Sequence, residues 1–204
     1  MCARHSVKIA LVVVVVCLAA LSAVAGAAGT RSPEPDATSA TAPLYTRVLS
    51  LDDLKGFWSV TCPVAVTSAA QWATQSSSAA ELERDGFMNG LREPLRSTGS
   101  AVQAWSIVAQ FTSPAGARRE SSAELGQARL LGAAVARFDV PLIPNSHGYS
   151  VPSGRTSRIA IGFTEGRFQY LLEIGGVGPS DAAALRARLT AAAAALYHRS
   201  QTQS

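Results

Sequence analysis

The chain has 204 residues, of which 48% are hydrophobic and 16% charged, with three cysteines and a formal net charge of +4. That apolar content excludes an intrinsically disordered protein, three cysteines exclude a disulfide scaffold, and no repeat marks a solenoid or propeller. Without a leader of about 27 residues, roughly 175 remain, enough for one domain with a proper core and too few for two.

The N-terminus carries the strongest signal. Arg4, His5 and Lys8 form a short basic region, and no charge follows from Ile9 to Gly29. Leu11 and the valines Val12 to Val16 make the apolar centre, and Ala23-Val24-Ala25 and Ala25-Gly26-Ala27 supply small residues for cleavage. Residues 1–27 therefore read as a signal peptide, with an uncleaved single-pass anchor as the alternative, because the uncharged stretch is long enough to span a bilayer. A lipoprotein anchor at Cys17 is excluded by Val16, which stands where a small residue is needed. Cleavage removes Cys2 and Cys17 and leaves Cys62 as the only cysteine, so no intramolecular disulfide can form; it is either buried or paired with another molecule, and its apolar, strand-like setting predicts burial. The charge falls to +2 as Arg4 and Lys8 leave, which gives no nucleic-acid footprint. The expected location is secreted or in the cell envelope, with membrane contact through the N-terminal segment if it stays.

Residues 28–43, with TRSPEPDATSATAP from Thr30 to Pro43, carry no large apolar side chain and read as a disordered spacer. The domain is expected over 44–198, with a polar tail over 199–204. Ser50-Leu51-Asp52-Asp53-Leu54 predicts a short capped helix, and Phe57 to Val60 a strand. A short helix over Ala69 to Thr74 precedes a second over Ser78 to Arg92, which Pro94 should end. Gln103 to Phe111 alternates as a strand, and Ser113-Pro114 starts a helix reaching about Ala136. That helix would bury Leu125, Ala128, Leu131 and Val135 and leave Arg118, Arg119, Glu120 and Arg129 wet. Phe138 to Ile143 reads as a strand and Pro144 to Thr156 as a long loop. Ile159, Ile161 and Phe163 alternate, Thr164 to Arg167 turns, and Phe168, Tyr170, Leu172 and Ile174 alternate back, an antiparallel hairpin. Gly175 to Pro179 breaks the strand, and an Ala-rich helix from about Ser180 to Tyr197 presents Leu185, Leu189 and Leu196. The class is α+β: a single domain with an antiparallel sheet packed against helices on one face.

Four segments carry a resemblance. Leu49-Ser50-Leu51-Asp52-Asp53-Leu54 with Gly56 and Trp58, Glu83 to Phe87, Gln110 to Arg118, and Val140 to Pro144 resemble a family of small uncharacterised exported actinobacterial domains. More loosely, the chain is similar to extracytoplasmic sensor domains of mycobacterial receptor kinases and related cell-envelope lipoproteins. The resemblance implies an antiparallel sheet flanked by helices and a ligand-binding cleft. It departs in lacking their disulfides and a kinase domain, and it assigns no functional residue.

Catalytic chemistry is sparse. His147, with Ser146, Ser150 and Asp139 near it, suggests a hydrolase site as the alternative function, but His147-Gly148-Tyr149-Ser150-Val151 is no nucleophile elbow. His198 suits a helix C-terminus, and Cys62, His147 and His198 have no metal-ligand spacing. Gly175-Gly176-Val177-Gly178 lacks the lysine of a phosphate loop, and the acids at Asp52-Asp53 and Glu81/Glu83 read as solvated helix starts. No cofactor and no metal is expected. What remains is non-enzymatic binding of a lipid-like small molecule or an envelope protein, with Trp105, His147, Tyr149 and Tyr170 as candidate ligand-binding residues beside the long loop.

Overall fold

The structure, a computed structural model, describes residues 44–73, 77–130 and 135–202. The segments read as a signal peptide and a spacer, together with Thr74, Leu131 and the last two residues, lie outside that range. The described elements are β1 (Phe57–Ser59), β2 (Val64–Val66), α1 (Ala69–Trp72), α2 (Ala79–Arg84), β3 (Phe87–Ser97) and β4 (Gln103–Phe111). They continue as α3 (Pro114–Leu130), β5 (Ala136–Phe138), β6 (His147–Ser153), β7 (Thr156–Glu165), β8 (Phe168–Val177) and α4 (Ala182–Gln201). All eight strands join one antiparallel sheet in the order β1-β3-β4-β8-β7-β6-β5, with β2 beside β1 on the outer edge of β3. The α+β class with an antiparallel sheet packed against helices is what the periodicity predicts.

Local chemistry explains where the elements depart from that prediction. The helix expected over Ser78 to Arg92 is cut to α2. Ser78 and Glu81 form a reciprocal capping box at its start, with Glu81 N donating to Ser78 Oγ and Ser78 N to Glu81 Oε2. Gly86 then takes φ +79° with Thr112 packed where a Cβ would stand, so the chain turns straight into β3. Pro94 sits inside that strand without breaking it. It falls between the stretches paired with β1 and β2, and its carbonyl accepts from Val60 N at 3.2 Å. Ser50 to Leu54 forms a turn closed by Ser50 and Asp53, not a helix. At the start of α3, Ser113 Oγ accepts from Gly116 N at 3.2 Å with Pro114 in the first position.

Downstream, Ala136 belongs to β5 and not to a helix, and Val140 and Ile143 reach the core from a loop instead of a strand. The segment read as a loop after Pro144 becomes β6, because its alternate residues pair in register with β7 from His147↔Gly162 to Ser153↔Thr156. The predicted hairpin is β7–β8, turning at Gly166-Arg167, and β8 runs on through the glycines to Val177. The tail expected from Arg199 is the last turn of α4. Arg199 binds Asp53 at 2.8 Å and the Val48 carbonyl at 3.0 Å, and Ser200 is buried. Cys62 is exposed, contrary to the expectation, because it lies in the short irregular connection between β1 and β2.

Helices cover both sheet faces, where one was expected. On the first face, α4 lays Leu185, Leu189, Ala192 and Leu196 against Ile159, Ile161, Leu172 and Ile174, and the segment from Leu44 to Leu54 closes the main core. On the second face the apolar contacts split into two smaller clusters. One gathers Trp72, Leu82, Phe111 and Ala117 under α1, α2 and the start of α3; the other gathers Ala128, Tyr149 and Ala160 under its later part.

Candidate functional site

Between those two clusters the second face holds a cavity of about 390 Å³. Its roof is the face of α3 carrying Glu120, Glu124, Gln127 and Ala128, positions that recur at helical spacing and so point one way. Its floor is the sheet: Arg92 from β3, Trp105 and Ile107 from β4, Gln169, Leu171 and Glu173 from β8, Arg158 from β7 and Tyr149 from β6. Strand alternation puts all of these opposite the main core. Trp72 of α1 closes one end and lies flat on Gly90, where a Cβ would stand 2.2 Å from the indole.

The polar side chains are anchored to one another. Tyr149 Oη donates to Glu124 Oε1 at 3.0 Å, and Gln169 Nε2 donates to Glu124 Oε2 at 2.9 Å. Ser77 Oγ donates to Glu120. Arg158 pairs with Glu173 at 3.3 Å across the β7–β8 ladder. Arg92 donates to the Trp72 carbonyl at 2.8 Å and lays its guanidinium 4.5 Å over the indole. Burial pushes the Glu124 carboxyl up to about 8; the Tyr149 hydrogen bond opposes this, while the charges of Glu173 and Glu120 add to it. Burial also raises Glu120, against the Ser77 hydrogen bond, and Glu173, against Arg158. The Tyr149 hydroxyl is held above its ordinary range by burial and by the charges of Glu124 and Glu173. The site is thus a partly desolvated pocket rich in hydrogen-bonding groups, with aromatic walls.

Two of the residues read from the sequence, Trp105 and Tyr149, line the cavity. His147 shares the Tyr149 side of β6, its ring 6.2 Å from the tyrosine and nearly parallel to it, but stands outside the lining. Tyr170 faces the main core, stacked on Phe163 at 4.6 Å and accepting from Arg47 Nη1 at 3.0 Å. The two serines read with His147 as a hydrolase set are engaged or turned elsewhere. Ser146 Oγ donates to the carbonyls of Val140 and Ile143, and alternation along β6 turns Ser150 to the opposite face.

The sequence reading misses Glu120, Glu124, Gln169, Glu173, Arg92 and Arg158. Glu120 was expected in water, yet it is 5% exposed and Glu124 9%. A usable signal is the run Ala117, Glu120, Ser121, Glu124, Ala128, whose spacing makes one helix face of small and acidic residues.

Among the described residues no three or more His, Cys, Asp or Glu side chains are grouped to hold a metal, and no helix is long and apolar enough to cross a membrane. No protein-family model and no curated protein matches the chain. A solved structure that it resembles is the extracellular domain of PknH from Mycobacterium tuberculosis, at 10% identity and a TM-score of 0.45, over 76% of this chain and 89% of that one.

Proposed function

We propose that this protein is an exported, non-catalytic binding domain of the cell envelope whose ligand occupies the cavity between α3 and the sheet. The observation that carries the reading is the cavity itself. It has the size and the mixture of aromatic wall and convergent polar groups that small-ligand sites share, and its polar side chains are held by one another, not aimed at a nucleophile. Export rests on the N-terminal charge and hydropathy pattern. The lining also moves the ligand away from the lipid-like class and toward a more polar molecule, since an alkyl chain would cover two guanidiniums and three carboxyls without offering them hydrogen bonds.

Native mass spectrometry of the protein purified from its own envelope tests this. The expected result is a reproducible added mass that is absent from Ala128→Trp, in which an indole fills the cavity. An unliganded mass in the native protein, with a partner protein captured instead, would overturn it in favour of a protein-interaction role.

A further inference from the structure

Resting on that reading, we propose that the cavity takes a neutral, polyhydroxylated ring, a sugar unit, seated on the indole of Trp105. Trp105 is half-buried in the cavity floor, and among the described residues no ring and no cation stacks on it. The other indole in the lining is already committed, with Arg92 over its face and Phe87 5.3 Å from it. An apolar plate of this kind suits a ring that is hydrophobic on one side and hydroxylated at its edge.

The groups around that plate fit the hydroxylated edge. Glu173 is the direct ladder partner of Trp105, its ion-pair partner Arg158 lies beside it, and Gln169 is on the same side of the same strand. They combine acceptors with donors, and a hydroxyl is the group that serves both at once. An alkyl chain would strand these groups, and a bare ion would engage half of them.

Charge points the same way. The guanidiniums of Arg92 and Arg158 are offset by the carboxylates of Glu120 and Glu173. Glu124 adds a third carboxyl, with its two oxygens taken up by Tyr149 and Gln169. Groups of both signs thus face one cavity and are tied to one another, so an ionic ligand would surrender its hydration without meeting a one-sided counter-charge.

The test is ligand-observed saturation-transfer NMR on the purified protein with glucose, galactose, mannose, arabinose and maltose. Tryptamine and decanoate serve as cationic and lipid-like contrasts, and isothermal titration calorimetry gives affinities. The expected result is saturable binding of at least one sugar, weakened tenfold or more in Trp105→Ala, largely restored in Trp105→Phe, and weakened in Glu173→Gln. No sugar binding, with tryptamine or decanoate bound in a way that Ala128→Trp abolishes, would overturn the sugar class and leave the cavity as a binding site. No binding by any probe, together with an unliganded native mass, would overturn both readings. Sugar binding unchanged in Trp105→Ala would place it elsewhere and sink the proposal.

Discussion

Glu124 is buried beneath α3 with both carboxyl oxygens engaged, by Tyr149 and by Gln169. Its carboxyl titrates near 8 in the folded protein against 4.5 for the ordinary group, so between those values the native state keeps a proton that the unfolded chain releases. Stability therefore falls as pH rises through that window and levels off above it, by a few kcal/mol at most on the scale of about 1.4 kcal/mol per pH unit. Glu120 and Glu173, also raised by burial, add in the same direction. Glu124→Gln removes the titration, and urea midpoints at pH 5, 7 and 9 should show a flatter profile and a variant that outlasts the parent at pH 9. A parallel profile would mean that Glu124 is ionised throughout. Gly90 offers a second check at this scale. A methyl there meets the Trp72 ring at 2.2 Å, so Gly90→Ala should cost roughly 1–3 kcal/mol in denaturant unfolding and disturb the cavity end that Trp72 closes.

At the scale of elements, β8 separates the two faces of the sheet residue by residue. Leu172 is fully buried against α4, whereas its neighbour Leu171 borders the cavity and is half-buried. Leu172→Ala should cost about 2–5 kcal/mol by leaving a hole in the main core, and Leu171→Ala less than about 1.5 kcal/mol, because its side chain already adjoins open space. Equal losses in urea titrations would contradict the placement of the cavity. The strands β7 and β8 were legible because Ile159, Ile161, Phe163 and Tyr170, Leu172, Ile174 alternate without interruption. The strand β3 was not, since Leu82, Phe87, Met88 and Leu91 also fit a helical period, and Pro94 reads as a terminator wherever the gap in its edge pairing is unknown.

For the molecule as a whole, the last turn of α4 locks the segment that opens the domain. Arg199 grips Asp53 with two guanidinium nitrogens, at 3.1 and 2.8 Å, and reaches the Val48 carbonyl. Burial raises the Asp53 carboxyl, but hydrogen bonds from Arg199 and Ser50 outweigh it and hold the group below its ordinary 3.8. That contribution is present above the ordinary value and is lost as pH falls below it. Arg199→Ala should lower stability near neutral pH by about 1 kcal/mol, since the arginine is part-exposed, and shrink the acid-side loss. Thermal unfolding at pH 3 and pH 7 measures both effects.

By itself the sequence determined the α+β class, the β7–β8 hairpin and the apolar stripe of α4, because each is a local periodicity whose single apolar face has one sensible burial. Two cavity residues, Trp105 and Tyr149, were legible as aromatics in strand-forming or loop-like segments. The carboxyls and guanidiniums were not, because Glu120, Gln169 and Glu173 occupy positions that read as a solvated face when the opposite face is apolar. Only the tertiary structure decided that α3 lies over that second face. Doing so takes side chains patterned for water out of water, and the hydrogen bonds they then exchange, with the space left between two small apolar clusters, make the site.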